Sequence, residues 1–275
     1  MNFTKITDLD IPELQIYRHL RDNVVTKDNS FIADSPNVVN LLLEANVEVR
    51  SILATEKYFR ENNELIESKQ IPTLYVADKK LMESITGHKI HHGVMMHGIR
   101  PAEAPLEALG DQIIMLDTLS KNDNVGAIAR SAAALGVDSY IVPKQGPHPY
   151  GRRAIRVSMG YISKLKIHSY QNILDTIKEL KKRGYKIFAA EATADATKLA
   201  ELSIPGKWVL LMGHEGNGIS PEVLNSCDET VQIEMVPGIK SFNVGIAASI
   251  LLYQFKIRTS VEPPECVSFG QKGLR

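Results

Sequence analysis

The side chains best suited to chemistry lie between residues 208 and 255. An apolar run, Trp208 to Met212, enters a glycine-rich loop with a single acid: Gly213, His214, Glu215, Gly216, Asn217, Gly218. Ser220 and Pro221 follow, a good N-cap and a proline suited to the first helical position. A second strand is expected over 229–233, an irregular loop over 234–240, and a helix from about Ser241. The body of that helix, 244–252, is almost wholly apolar and is therefore expected to be buried. Loops that leave buried strands and face helix starts are where open α/β sheets bind ligands. A phosphate cradle does not suit this loop. Its spacing fits neither GxGxxG nor the Walker pattern, it holds no lysine, and Glu215 would repel a phosphate. An acid there suits a ligand with cationic, amine or hydroxyl groups, although a tight turn with a solvated carboxylate would look the same.

Upstream, Asn122-Asp123-Asn124 precede a small-residue run that contains Arg130. Asp and Asn at the front are natural helix caps, and the Gly and Ala that follow let this helix approach a neighbour closely. Arg130 reads either as a pocket-lining guanidinium that forks onto phosphate or as an ordinary surface arginine. A third cluster, His148 to Arg156, places Arg152, Arg153 and Arg156 beside a tyrosine. It is a local basic patch for RNA or a solvated helix face. His88, His91, His92 and His97 match no common zinc spacing and have no cysteine near them, so no metal is expected. There is no GxSxG elbow, and Cys227 has no His and Asn partners, which argues against a nucleophilic hydrolase.

The elements that must position these residues form two series. Over 1–100, strands at 30–33, 47–54, 73–77 and 93–99 alternate with helices at 12–20, 36–45, 56–67 and 79–85, an α/β/α sandwich. Residues 101–110 are rich in Pro and Ala and read as a linker. A second α/β series then occupies 111–258: strands at 112–116, 139–142, 164–167 and 186–190, helices at 125–135, 152–159 and 173–182, then the opening stretch. The tail, 259–275, reads as flexible. Lys+Arg and Asp+Glu are both 32, so any nucleic-acid partner must be held by a local patch. Two cysteines, no signal pattern and no 18-residue apolar run point to a reducing cytoplasm and no membrane partner.

Three C-terminal blocks, in order, resemble the SpoU (TrmH-type) RNA ribose methyltransferases of the SPOUT superfamily. The family's NxGxIxR appears as Asn124, Gly126, Ile128 and Arg130, and its GxExxGI as Gly213, Glu215, Gly218 and Ile219. Its IPM and SLNVxxA appear as Ile233 and Met235, then Ser241, Phe242, Asn243, Val244 and Ala247. Glu234 stands where the family usually has proline, and Phe242 where it usually has leucine.

The resemblance implies an α/β fold: a C-terminal SPOUT domain with a parallel sheet and a deep trefoil knot, and an N-terminal RNA-binding domain similar to a ribosomal protein. It implies S-adenosylmethionine in the knot and a homodimer built through the catalytic domains. The reaction would be methyl transfer to a ribose 2′-hydroxyl of RNA, ribosomal RNA favoured over tRNA. Cofactor contacts would fall on Ala190, Glu191 and Ala192, on Met212, Gly213, Glu215 and Gly218, and on Ile233, Met235, Ser241, Phe242 and Asn243. Arg130 would be the central catalytic residue, with Asn124, Glu215, Ser241 and Asn243 around it. A guanidinium pKa above about 12 favours a phosphate and alkoxide clamp over a base. A Rossmann dehydrogenase lacks its fingerprint here. The rival is an RNA-binding protein that keeps the fold but has lost transfer, a possibility raised by Glu234.

Overall fold

Short runs of apolar residues, Ile-Ile-Met-Leu at 113–116 and Val-Leu-Leu-Met at 209–212, have no polar side to turn to water. Each therefore becomes a strand buried on both faces. The computed structural model describes residues 2–7, 11–19, 28–86 and 93–259. The first of its two sheets holds β1 (Thr4–Lys5), β2 (Ser30–Asp34), β3 (Val49–Ala54), β4 (Thr73–Val76) and β5 (Val94–Ile99), in the order β1-β4-β3-β5-β2. Its helices are α1 (Gln15–His19), α2 (Pro36–Glu44), α3 (Glu56–Glu61), α4 (Asn63–Ser68) and α5 (Lys79–Thr86).

The second sheet is built from β6 (Gln112–Leu116), β7 (Ser139–Pro143), β8 (Lys166–Tyr170), β9 (Lys186–Ala190), β10 (Thr197–Lys198), β11 (Trp208–Met212) and β12 (Glu229–Gln232). All its pairings are parallel, in the order β10-β12-β9-β11-β6-β7-β8. With it go α6 (Asn122–Ala134), α7 (Arg152–Val157), α8 (Ile173–Lys182), α9 (Pro221–Ser226) and α10 (Val244–Thr259). The chain leaves β6 outward to β7 and β8, then returns to the far side, so the sheet has a switch point beside β11.

Two close helix contacts fix the site's framework. A Cβ on Gly126 would stand 2.5 Å from the Ala154 carbonyl oxygen, so only glycine lets α6 rest on α7. On the other flank, Ser131 and Ser249 share a 2.8 Å hydrogen bond between α6 and α10. α10 seats Ala248, Leu251, Leu252 and Phe255 in the core, and Phe255 meets Trp208 and Phe188 edge-on at 5.0 and 5.1 Å. Only one side of α10 is covered, which corrects the expectation of a buried helix: Ile246 and Tyr253 are 54% and 52% exposed.

The two sheets share one hydrophobic cluster. The rings of Phe31 and Tyr150 lie 5.2 Å apart across the junction, and Arg152 donates to Asp34 at 2.9 and 2.6 Å. Residues 101–110 are not a free tether. Ala104 N–H donates to the Ile167 carbonyl, and Glu103 accepts from the amide and hydroxyl of Ser169.

Other expectations shift locally. The helix over 56–67 breaks at Asn62, and β8 begins at Lys166 because 161–164 form a 3-10 turn. β1 and β10, two residues each, carried no signal in the sequence. Residues 260–275 and the histidine cluster at 87–92 lie outside the described residues. His97 is described, with Nε2 2.8 Å from the Ser30 hydroxyl. Among the described residues no helix is long and apolar enough to cross a membrane, and no group of metal-ligating side chains assembles.

Candidate functional site

β9, β11 and β12 end side by side, and the loops that leave them enclose a cavity of about 470 Å³. Ala190, Glu191 and Ala192 form the wall beyond β9, while Met212, Gly213, Glu215 and Gly218 come from the glycine loop. Ile233 and Met235 follow β12, and Ser241, Phe242 and Asn243 close the cavity ahead of α10. Asn124 reaches it from the first turn of α6.

The glycine loop braces itself. His214 and Gly218 exchange backbone hydrogen bonds at 3.2 and 3.0 Å, and His214 Nδ1 accepts from the amides of Gly216 and Asn217. Gly218 is required twice over. Its φ of +66° is left-handed, and a Cβ there would run into the Glu191 carboxylate, which accepts from Ile219 N–H at 2.8 Å.

A single line of hydrogen bonds joins the three motif segments. Glu215 accepts from the amide and hydroxyl of Ser120, both at 3.0 Å, and from Asn124 Nδ2 at 2.7 Å. Asn124 Oδ1 accepts from Asn243 Nδ2 at 3.2 Å, and Asn243 Oδ1 accepts from Gly245 N–H at 2.9 Å, capping α10. A carboxylate can only accept, so Glu215 fixes which way both amides face and gives the line one polarity. Burial pushes the Glu215 carboxyl up. The bonds from Ser120, Asn124 and its own amide outweigh that and bring it down to about 2, so it is a carboxylate at neutral pH.

Asn124 is therefore not the helix cap expected of it. The N-cap position of α6 falls on Lys121, with no side-chain cap bond, and Asp123 pairs instead with Arg153.

The arginines lie elsewhere. Arg130 is exposed on α6 and does not line the cavity of the single chain. It sits between Ala127 and Ser131, both of which face α10. Of the expected RNA patch, Arg152 is engaged with Asp34 and Arg153 with Asp123, at 3.0 and 2.8 Å, while Arg156 is exposed. Arg152 thus joins the two sheets and is not an open RNA contact.

Lys121, His214, Gln232 and Lys240 also line the cavity, and none was foreseen. Lys121 and Lys240 directly precede motif segments, which was the available signal. Ser120 offered none beyond its place in the turn after β6.

The walls favour an amphipathic, cation-bearing ligand. Met212, Ile233, Phe242, Val244 and Leu251 supply apolar surface, and Glu191 and Glu215 supply carboxylates already oriented by backbone amides. S-adenosylmethionine, with an aromatic base, a sulfonium, an amine and a carboxylate, fits a wall that combines apolar side chains, two carboxylates and two lysines.

The profile of the SpoU rRNA Methylase family matches residues 111–253, which hold every residue that lines this cavity. A Staphylococcus haemolyticus protein named for the TrmH family of tRNA/rRNA methyltransferases is 34% identical over 142 residues, 52% of this chain and 57% of its own length. An uncharacterized tRNA/rRNA methyltransferase of Mycobacterium bovis is 27% identical over 260 residues, 90% of each chain. Among solved structures, the AdoMet-bound rRNA methyltransferase of Sinorhizobium meliloti superposes with a TM-score of 0.79 at 21% identity, covering 93% of this chain and 98% of that one. The SpoU methyltransferase AviRb of Streptomyces viridochromogenes gives a TM-score of 0.77 at 22% identity, covering 90% and 97%. At such identities the two structures speak for the fold.

Proposed function

The chain belongs to the SpoU rRNA methylase family, and from that premise we propose that it methylates a ribose 2′-hydroxyl of structured RNA, ribosomal RNA in preference to tRNA. S-adenosylmethionine is the cofactor, and when bound it supplies a methyl group from its sulfonium. The observation that carries the proposal is the hydrogen-bonded line Gly245–Asn243–Asn124–Glu215 in the wall of the cavity. It holds all three motif segments in one geometry before any ligand arrives. Pre-set alignment of this kind contributes up to roughly 7–11 kcal/mol in well-oriented reactions.

The apolar walls and the backbone of Gly213, Ile233 and Phe242 hold the base and ribose of the cofactor. Glu191 and Glu215 favour its cationic end. Ser241 and Asn243 orient the acceptor hydroxyl. Arg130 clamps the neighbouring RNA phosphate and stabilises negative charge as the hydroxyl gives its proton to solvent. Because Arg130 stands outside the cavity of its own chain, we assign it a place at the interface of a homodimer formed over the open face of α10. The threading of the loops after β11 and β12 as a trefoil knot belongs to the same proposal. The N-terminal sheet and the exposed Arg156 are assigned to RNA. Glu234 accepts a long, exposed bond of 3.4 Å from the Ala200 amide.

Tritiated methyl transfer to separate pools of ribosomal RNA and tRNA, followed by nuclease digestion, tests the proposal. A 2′-O-methyl nucleoside from the ribosomal pool is expected. Label on a base would overturn ribose chemistry. No label in either pool, with the cofactor bound, would leave a binding protein and make Glu234→Pro the variant to test next. Arg130→Ala should lower transfer at least a hundredfold with cofactor affinity unchanged; a folded variant that no longer binds cofactor would remove the role given to Arg130.

A further inference from the structure

A second cavity, of about 400 Å³, lies between the edge strand β8 and the β2 side of the first sheet, and shares no residue with the first cavity. Arg100, His148, Tyr150, Lys166, Glu103 and Asn29 are among its walls. The hydrogen bonding of Arg100 there does not close. Its Nη2 donates to Asn29 Oδ1 at 2.7 Å, but its buried Nε has no acceptor. Its Nη1 stands 2.9 Å from His148 Nε2.

The other ring nitrogen, Nδ1, accepts the Tyr150 amide proton at 3.0 Å. A neutral imidazole carries one proton, so that proton lies on Nε2 and points at a guanidinium that can only donate. The opposite tautomer sets Nδ1–H against Tyr150 N–H, and a doubly protonated ring adds a donor. Every protonation state leaves donor facing donor. Burial, and then the charge of Arg100, push His148 down to about 4, so the ring is neutral at pH 7. Nearby acids do not resolve the conflict. Asp28 and Glu103 act on Arg100 through charge without bonding it, since Asp28 bonds Arg50 and Ser30 and Glu103 bonds Ser169, so a phosphate held there must outweigh the Glu103 carboxylate in the same cavity. Lys166 adds positive charge, paired with Asp138 at 3.0 Å.

Arg100 Nη1 and His148 Nε2 lie 2.9 Å apart at the wall of the cavity, close enough for one acceptor oxygen to reach both once their N–H bonds turn away from each other. We propose that this notch binds a phosphate group, with His148 Nε2–H and Arg100 Nη1–H donating to one oxygen, and that the group is a phosphodiester of the bound RNA. The second half rests on RNA being the substrate. An anion relieves two half-buried donors that face each other, and Arg with an N–H partner is a recurrent phosphate grip.

The test is a titration of the full isotope-labelled chain with inorganic phosphate at pH 7, following the His148 ring by NMR. A saturable shift is expected in the wild type and its loss in Arg100→Gln. If that variant does not fold, Arg100→Lys replaces it, with phosphate binding at least fivefold weaker because the fork is gone. No saturable shift in the wild type, or an equal one in the variants, overturns the notch.

The source of the phosphate is read from binding of protein-free ribosomal RNA against salt. Arg100→Gln should weaken binding about tenfold and reduce the log–log salt slope by about one. An unchanged slope, with the phosphate shift intact in the wild type, would assign the notch to free phosphate and overturn the RNA half. If the wild type neither binds nor methylates RNA, the proposed function fails, while the phosphate titration still decides the notch.

Discussion

Glu215 accepts three hydrogen bonds from two residues around the start of α6, Ser120 and Asn124, and this narrows what can replace it. Glu215→Gln keeps the volume but turns one acceptor into a donor, which faces either Ser120 or Asn124. The site is partly exposed, so the cost should be near the lower end of the unsatisfied-donor range, about 1 kcal/mol. That is a fall of about 2–4 °C in Tm for a chain of this size. Cofactor affinity, measured by calorimetry, should fall at least tenfold. The pH dependence follows from the sign of the shift. The folded-state pKa of Glu215 lies below its unfolded value, so its contribution is complete above about pH 4.5 and is lost as pH falls toward about 2. The Tm difference between wild type and Glu215→Gln should therefore shrink steadily below pH 4.5. At this scale the acid in its glycine loop was legible in the sequence, because few turns place a carboxylate between glycines after a buried strand. Asn124 was misread, since an Asn before an apolar run has the ordinary signature of a cap. Its true partner is 91 residues away, a distance no local pattern covers. Arg130, which its neighbours left open between a pocket and a surface arginine, is exposed on α6, and the catalytic role the resemblance implies for it belongs to the proposal.

α10 carries Asn243 at its head, and the ring cluster Trp208, Phe188 and Phe255 holds its body on the sheet. Phe255 is fully buried. Phe255→Ala should cost about 3–5 kcal/mol, read as a large fall in Tm. The surviving folded fraction should also bind cofactor more weakly, because the helix that presents Asn243 loses its anchor. The buried strands were legible as elements: the five-residue runs at 112–116, 186–190 and 208–212 match β6, β9 and β11 at both ends. β1 and β10 were not, because two residues become a strand only by pairing with β4 and β12. The start of β8 was misplaced because Gly160, at φ +82°, sets up a 3-10 turn that shifts the strand by two residues.

A single copy of the chain leaves an apolar face on α10 open to water. The sequence marked that helix as apolar all round but could not say which of its sides the chain leaves uncovered. If the proposed dimer forms over this face, Ile246→Lys should leave a particle of 30.5 kDa by light scattering and abolish transfer, with the fold retained. A dimer that persists would place the interface elsewhere. The Arg152–Asp34 pair acts at the same scale, holding the first sheet against α7. The order of the second sheet has a consequence in time. β6 and β9 are both made before β11, yet they do not touch, because β11 lies between them. A chain that has grown only as far as Ala190 therefore carries a gap at the centre of its sheet, with two unpaired strand edges facing it. Closure waits for Trp208 to Met212, and the only tryptophan of the protein arrives with the strand that fills the gap. The walls from β12 and α10 are made later still. The cavity proposed for the methyl donor is thus completed only when the segments after β11 have been made, and a chain truncated before residue 243 lacks part of its wall.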